Sequence, residues 1–193
     1  MICGIDEAGR GSLCGSMFIS GVACESNVAD WLVTIGIKDS KKLSKSKRFQ
    51  LADLLKKNEY IHIHTVEKTS KQIDTLGLSR CLKESLEEII DKLQFFSKEF
   101  YMDGNTLFGL SSTNHYQLIP LIKGDDKIPQ ISAASIIAKT SKDNQMLVLD
   151  KIYPQYDFSN NAGYGTKSHL KALEEFGQID EHRKSFILKK KLF

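Results

Sequence analysis

The chain has 193 residues, a formal net charge of +3, 41% hydrophobic and 26% charged residues. This excludes a disordered chain, and the mildly basic balance permits a nucleic-acid partner without requiring one. No window approaches the roughly 18 apolar residues of a membrane helix, no leader-like segment opens the chain, and Cys3, Cys14, Cys24 and Cys81 form no CxxC pair. The expectation is one cytoplasmic domain over 1–193, monomeric, without a membrane partner, with reduced and buried thiols, and with 166–193 as a short helical C-terminal part.

In chain order, residues 1–6 read as a strand. Residues 16–24 (SMFISGVAC) read as a second strand, and the short loop between them favours an antiparallel pair. Residues 44–57 predict an amphipathic helix with Phe49, Leu51, Leu54 and Leu55 on its apolar side. Residues 60–66 alternate like a strand with one buried face, which leaves His62 and His64 on one exposed face. Leu78, Leu82, Leu86, Ile89, Ile90 and Leu93 recur at helical spacing, predicting one helix over 76–95. Residues 99–103 form the next strand, stopped by Gly104-Asn105, and 117–122 is another apolar run. Residues 130–150 read as a helix with a small, apolar start, and 167–176 as the last clear helix, capped by Gly177. Early antiparallel strands followed by helix-linked strands make an α/β fold with a mixed central sheet flanked by helices.

Three acids break the pattern of solvated surface charge. Asp6, Asp103 and Asp125 each follow a hydrophobic strand or apolar run. A carboxylate near a core is costly unless compensated, and several together repel; a hard divalent cation such as Mg²⁺ or Mn²⁺ answers both problems. Open α/β sheets place their sites outside the carboxyl ends of strands. The pattern is equally compatible with separate N-caps and turn residues, the common fate of Asp before Gly. Asp6 and Glu7 are neighbours on a strand, so both reach one site only if the strand ends or bends at Glu7. The histidines and cysteines have no soft-metal spacing, and GxxxxGK[ST], GxGxxG and GxSxG are all missing from the sequence. Lys123, Lys127, Lys139, Lys142 and Lys167 surround the later acids and suit a polyanionic substrate, though each alone reads as a solvated cation. Tyr164, between Gly163 and Gly165, reads either as a projecting stacker on a sugar or base or as a loop residue folded onto the core.

The blocks GIDEAGRGSLCG (4–15), DSKKLS (39–44), YMDGN (101–105), KGDDK (123–127), ISAASIIAKTSKD (131–143), GYGTKSHL (163–170) and HRKSF (182–186) occur in this order, and with them the sequence resembles bacterial ribonuclease HII over nearly the whole chain. The resemblance implies a ribonuclease H-like fold and a two-metal endonuclease, using Mg²⁺ or Mn²⁺. Such an enzyme cuts 5′ of ribonucleotides in RNA–DNA hybrids and at single ribonucleotides embedded in duplex DNA, leaving 3′-hydroxyl and 5′-phosphate ends. It carries the catalytic, metal-holding carboxylates onto Asp6, Glu7, Asp103 and Asp125, and 2′-hydroxyl reading onto Gly9, Arg10 and Gly11. Tyr164 would stack on the deoxyribose after the ribonucleotide, and Ser40, Lys41, Ser135 and Lys139 would contact phosphates.

Two positions depart from the family pattern. Ser16 stands where proline is common, and Lys142 where arginine is usual, so an ion pair from Lys142 to a neighbouring acid would be looser. The segment after HRKSF is short, which would weaken duplex grip. The related ribonuclease HIII normally carries an extra N-terminal domain, and a first strand at Met1 argues against it. The tail 187–193 reads either as a sliding-clamp docking segment or, more simply, as a basic helix end.

Overall fold

A computed structural model of the chain describes residues 1–37 and 43–187. Ser40, Lys41 and the 187–193 tail beyond Ile187 lie outside the described residues.

Among the described residues, five strands form one sheet in the order β3-β2-β1-β4-β5: β1 (Ile2–Ala8), β2 (Met17–Cys24), β3 (His62–Lys68), β4 (Glu99–Asp103) and β5 (Gln117–Leu121). β1–β2 and β2–β3 are antiparallel, whereas β1–β4 and β4–β5 are parallel, so the sheet is mixed as expected. The helices are α1 (Ser26–Thr34), α2 (Lys45–Lys57), α3 (Ser70–Leu76), α4 (Leu78–Leu93), α5 (Pro129–Ile152), α6 (Phe158–Asn161), α7 (Lys167–Phe176) and α8 (Lys184–Ile187).

α4 covers one face of the sheet. Its Leu82, Leu86, Ile89 and Ile90 pack on Cys3, Ile5, Ile19 and Phe100. α5 and α2 cover the other, where Ala133, Ile136 and Ile137 meet Val22, Leu51 and Leu55. Residues 131–138 of α5 are buried without interruption, which is why that helix shows little amphipathic contrast. α5 lies unusually close to β1, because a Cβ on Gly4 would collide with the backbone of Gln130 and Ile131. A third cluster joins Leu13 and Cys14 to Met146, Tyr156, Phe158 and Leu173, tying the β1–β2 loop to the C-terminal helices. All four cysteines are buried and free, and burial pushes their thiols up, away from the reactive thiolate. Among the described residues, no helix is long and apolar enough to cross a membrane.

Several local expectations change. The helix predicted over 76–95 is α4, Leu78–Leu93, and it begins after Gly77, whose φ of 80° lies where glycine is favoured. α1 and α3 are helices that no apolar spacing in the sequence announces; α3 opens on a Thr69–Gln72 capping box. β3 sits two residues later than the alternation implied. His62 and His64 are half-buried rather than exposed: His62 stacks on Phe96 with ring centroids 3.6 Å apart, and His64 Nε2 lies 3.0 Å from Glu88 Oε1.

Candidate active site

The carboxyl ends of β1 and β4 lie side by side. Ile5 pairs with Met102 across the parallel ladder, which brings Asp6 and Asp103, the next residues along each strand, level at the sheet's end. β1 does not end at Glu7, since its pairing with β2 continues to Ala8, but its pairing with β4 stops at Ile5, which frees the following residues on that side. Asp6 turns toward α5, where the Ser135 hydroxyl bonds it, while Glu7 meets Arg10, Nη1 to Oε1 3.5 Å. The two nevertheless feel each other, and both feel Asp103. Asp125 is not at a strand end. β5 stops at Leu121, and Asp125 sits in the 3-10 turn Gly124–Asp126 after Lys123, which adopts the left-handed conformation. That turn is bonded back to the strand-end acid: Gly124 N–H donates to Asp103 Oδ1 at 2.8 Å. The Ser132 hydroxyl of α5 donates to the Asp125 carbonyl and fixes the turn on the helix.

Asp6 is only 7% exposed. Burial, and then the neighbouring Glu7 and Asp103 charges, push its carboxyl from 3.8 up to about 7, against the opposing hydrogen bond from Ser135. Burial raises Glu7 as well, although Arg10 pulls the other way. The donors are hard oxygens, the chemistry a Mg²⁺-type ion takes. Among the described residues, no group of three or more His, Cys, Asp or Glu already stands in metal-holding geometry. Like-charged carboxylates resist closing on one another without a cation between them. The donor chemistry and the excess negative charge therefore fit a divalent metal.

Beside the acids lies a cleft of about 320 Å³ lined by Gly9, Arg48, Lys139, Lys142, Asp143 and Tyr164. Tyr164 projects from its loop at 43% exposure and does not fold onto the core. A Cβ on Gly11 would stand 3.9 Å from the Tyr164 ring, so the Gly9–Gly11 loop and the tyrosine face one wall of the same cleft. Arg10 is folded back over Glu7 and over Phe108, 5.5 Å from that ring's centre. Lys139 donates to Ser135 at 2.8 Å, and Ser135 is fully buried, so Asp6, Ser135 and Lys139 form a chain from sheet to cleft.

Lys142 is not a surface cation. It is 2% exposed, donates to the Cys14 carbonyl at 2.8 Å, and is pushed down to about 7 by burial and by Arg183. Asp143 pairs with Arg48 at 3.0 Å. Ser16, in the other departing position, shares a polar cluster with Glu67 (2.6 Å) and Gln145 (2.7 Å). The sequence blocks contained His169, His182 and Arg183 without pointing to a role. The structure buries all three behind the cleft, and their positions in the GYGTKSHL and HRKSF blocks were the only available signal.

A family model described as Ribonuclease HII matches residues 3–189. The ribonuclease HII of Helicobacter acinonychis is 45% identical over 193 residues, covering 100% of both chains. That of Helicobacter pylori strain P12 is 46% identical over 189 residues, covering 98% of this chain and 92% of the relative. A chain of the solved PCNA:RNase HII complex from Archaeoglobus fulgidus superposes with a TM-score of 0.80 at 27% identity, covering 97% of this chain and 94% of that one. Full-length similarity to curated relatives and the shared ribonuclease H-like fold thus agree with the acids gathered at the sheet's end, and the chain belongs to the ribonuclease HII family as a ribonuclease H, a phosphodiester-hydrolysing nuclease.

Proposed function

We propose that the protein cuts the phosphodiester 5′ of ribonucleotides, both in RNA–DNA hybrids and at single ribonucleotides in duplex DNA, leaving 3′-hydroxyl and 5′-phosphate ends. The observation that carries this reading is the juxtaposition of the Asp6–Glu7–Asp103 group with the cleft where Tyr164 faces the Gly9–Gly11 loop.

Asp6, Glu7, Asp103 and Asp125 would hold two divalent ions, Mg²⁺ or Mn²⁺, which when bound supply Lewis acidity at the phosphate and lower the pKa of the attacking water. The chain's own contribution is placement. Ser135 holds Asp6 from the α5 side, and the Gly124 N–H holds Asp103, so these carboxylates keep their direction. Glycines 9 and 11 let main-chain atoms approach the ribose closely, where a 2′-hydroxyl is both donor and acceptor. Arg10 exchanges its contact with Glu7 for nearby phosphate. Tyr164 stacks on the following deoxyribose, and Lys139 offers positive charge to the strand in the cleft. Ser40 and Lys41 belong to this phosphate-binding set by their family motif.

The test is a labelled duplex DNA holding one ribonucleotide, incubated with Mg²⁺ or Mn²⁺. A single cut 5′ of the ribonucleotide, with a DNA 3′-hydroxyl that a polymerase extends, is the expected result. A cut on the 3′ side, or cleavage undiminished by EDTA, overturns the proposal.

A further inference from the structure

Three chain segments are interlocked behind the cleft. Leu13 and Cys14 N–H both donate to the Gly163 carbonyl (2.8 and 3.2 Å), so the β1–β2 loop is bonded directly to the Tyr164 loop. A third segment, which does not line the cleft, grips both. Gly15 N–H donates to the Glu181 carbonyl at 2.8 Å, Arg183 N–H donates to the Leu13 carbonyl at 2.8 Å, and Cys14 bridges His182. The fully buried Arg183 side chain donates to the carbonyls of Gly15 and Arg10, each at 3.0 Å. It therefore holds the Gly9–Gly11 loop by its backbone.

His182 reaches the Tyr164 side of the same wall through a second histidine. Ile179 N–H donates to His182 Nδ1 at 2.9 Å, so that nitrogen carries no proton and the ring's N–H is at Nε2. His182 Nε2 lies 3.0 Å from His169 Nε2, and His169 Nδ1 lies 2.9 Å from the Tyr164 carbonyl. A carbonyl only accepts, so His169 is protonated at Nδ1 and accepts at Nε2. Read from either end, the chain runs in one direction with every nitrogen used once. Burial pushes both histidines down, His182 to about 4, which keeps one N–H on each ring at neutral pH. Edge-on packing of Tyr156 and Phe158 against His169 holds the ring in place.

We propose that His182 and His169 form a tautomer-locked relay that positions Tyr164, and that the adjacent Arg183 holds the opposite, loop side of the same reading surface. These are positioning residues: none of them touches the cleft, and they act through Tyr164 and through the Arg10 and Gly15 carbonyls. The proposal rests on the reading of Tyr164 and the Gly9–Gly11 loop given above. One buried dipeptide would thus set the spacing between the ring and the loop that together recognise a ribonucleotide.

Two measurements on the full chain test it. ¹⁵N NMR of the wild-type protein is expected to show His182 as the Nε2–H tautomer and His169 as the Nδ1–H tautomer; the opposite assignment for either ring overturns the relay. The second measurement is kinetic. His169→Phe keeps an aromatic ring in the cluster and removes both hydrogen bonds. It is expected to lower kcat/KM on the single-ribonucleotide duplex by about threefold to tenfold, the effect of about one net hydrogen bond, that to the Tyr164 carbonyl. In a Tyr164→Ala background the same change is expected to cost nothing further, because its effect passes through that residue. Independent, multiplying losses, or wild-type kinetics in folded His169→Phe, overturn the proposal. Should His169→Phe not fold, His182→Gln replaces it in the same cycle: its amide can still donate to His169, so it is expected to retain most activity, and a full loss counts against the relay. If the wild-type protein does not cut the ribonucleotide at all, the proposed substrate falls, while the tautomer measurement still decides the relay.

Discussion

The two walls of the cleft are built differently. On the carboxylate wall, Asp6 and Glu7 are held in place by strand register, and burial and mutual repulsion leave both reluctant to ionise. On the reading wall, the segments around Gly15, Gly163 and His182 are joined by backbone and side-chain hydrogen bonds that close on each other. The first wall is electrostatically unfinished and gains from a bound cation, whereas the second is preorganised before any ligand arrives. Metal affinity and substrate reading should therefore fail separately when either wall is damaged.

The largest expected effect breaks the carboxylate wall alone. Asp103→Asn should nearly abolish cleavage, by more than the roughly 100-fold that loss of a supporting group costs, with circular dichroism and thermal midpoint close to wild type. Wild-type turnover in a folded Asp103→Asn protein would remove Asp103 from the site. Next, Gly4→Ala should disturb the β1–α5 packing that brings Asp6 to Ser135. The new methyl meets helix backbone, which cannot move aside as a flexible side chain could, so a loss at or above the usual overpacking cost of about 1–3 kcal/mol is expected in urea unfolding.

On the reading wall, Tyr164→Ala should cost about tenfold or more on a single embedded ribonucleotide, within the range of one lost stacking contact, and less on a continuous hybrid. Equal losses on the two substrates would argue against stacking on the deoxyribose. The smallest effect sharpens the electrostatic contrast. Asp6 rises from 3.8 to about 7 on folding, so between these values the folded state holds a proton that the unfolded chain has released. Its contribution therefore makes stability fall as pH climbs through that window. Thermal unfolding in EDTA at pH 5 and pH 8 should show a larger drop for wild type than for Asp6→Asn, and Mg²⁺ should shrink the wild-type drop. An identical pH response in the two proteins would mean that Asp6 is not the strained carboxyl.

Much of this was legible in the sequence where the signal is local. The antiparallel β1–β2 pair followed from a short loop, α4 from helical spacing, α5 from its small, apolar start, α7 from its Gly177 stop, and the buried thiols from their apolar surroundings. Asp6, Asp103 and Asp125 stood out because acids next to a hydrophobic strand or apolar run need a reason, and Glu7 joined them through the family motif. Local pattern misled where tertiary context took over. No helical spacing announced α1 or α3, and an apolar run suggested that Asp125 ends a strand when it lies in a separate turn. Lys142 read as a surface cation because nothing nearby in sequence reveals that the Cys14 carbonyl, 128 residues away, receives its ammonium.

By itself the sequence determined most element types (though not α1 or α3), the carboxylates available for metal chemistry and the motif blocks that carry the family. Only the tertiary structure decided that Asp6 and Asp103 end level, that Gly11 faces Tyr164, and that His182 and Arg183 hold the two sides of that surface. The physical reason is range. Periodicity records how a residue meets its own helix or strand. Strand register and hydrogen bonds between distant segments, such as Arg183 with Arg10 across 173 residues, leave no repeating mark on the chain.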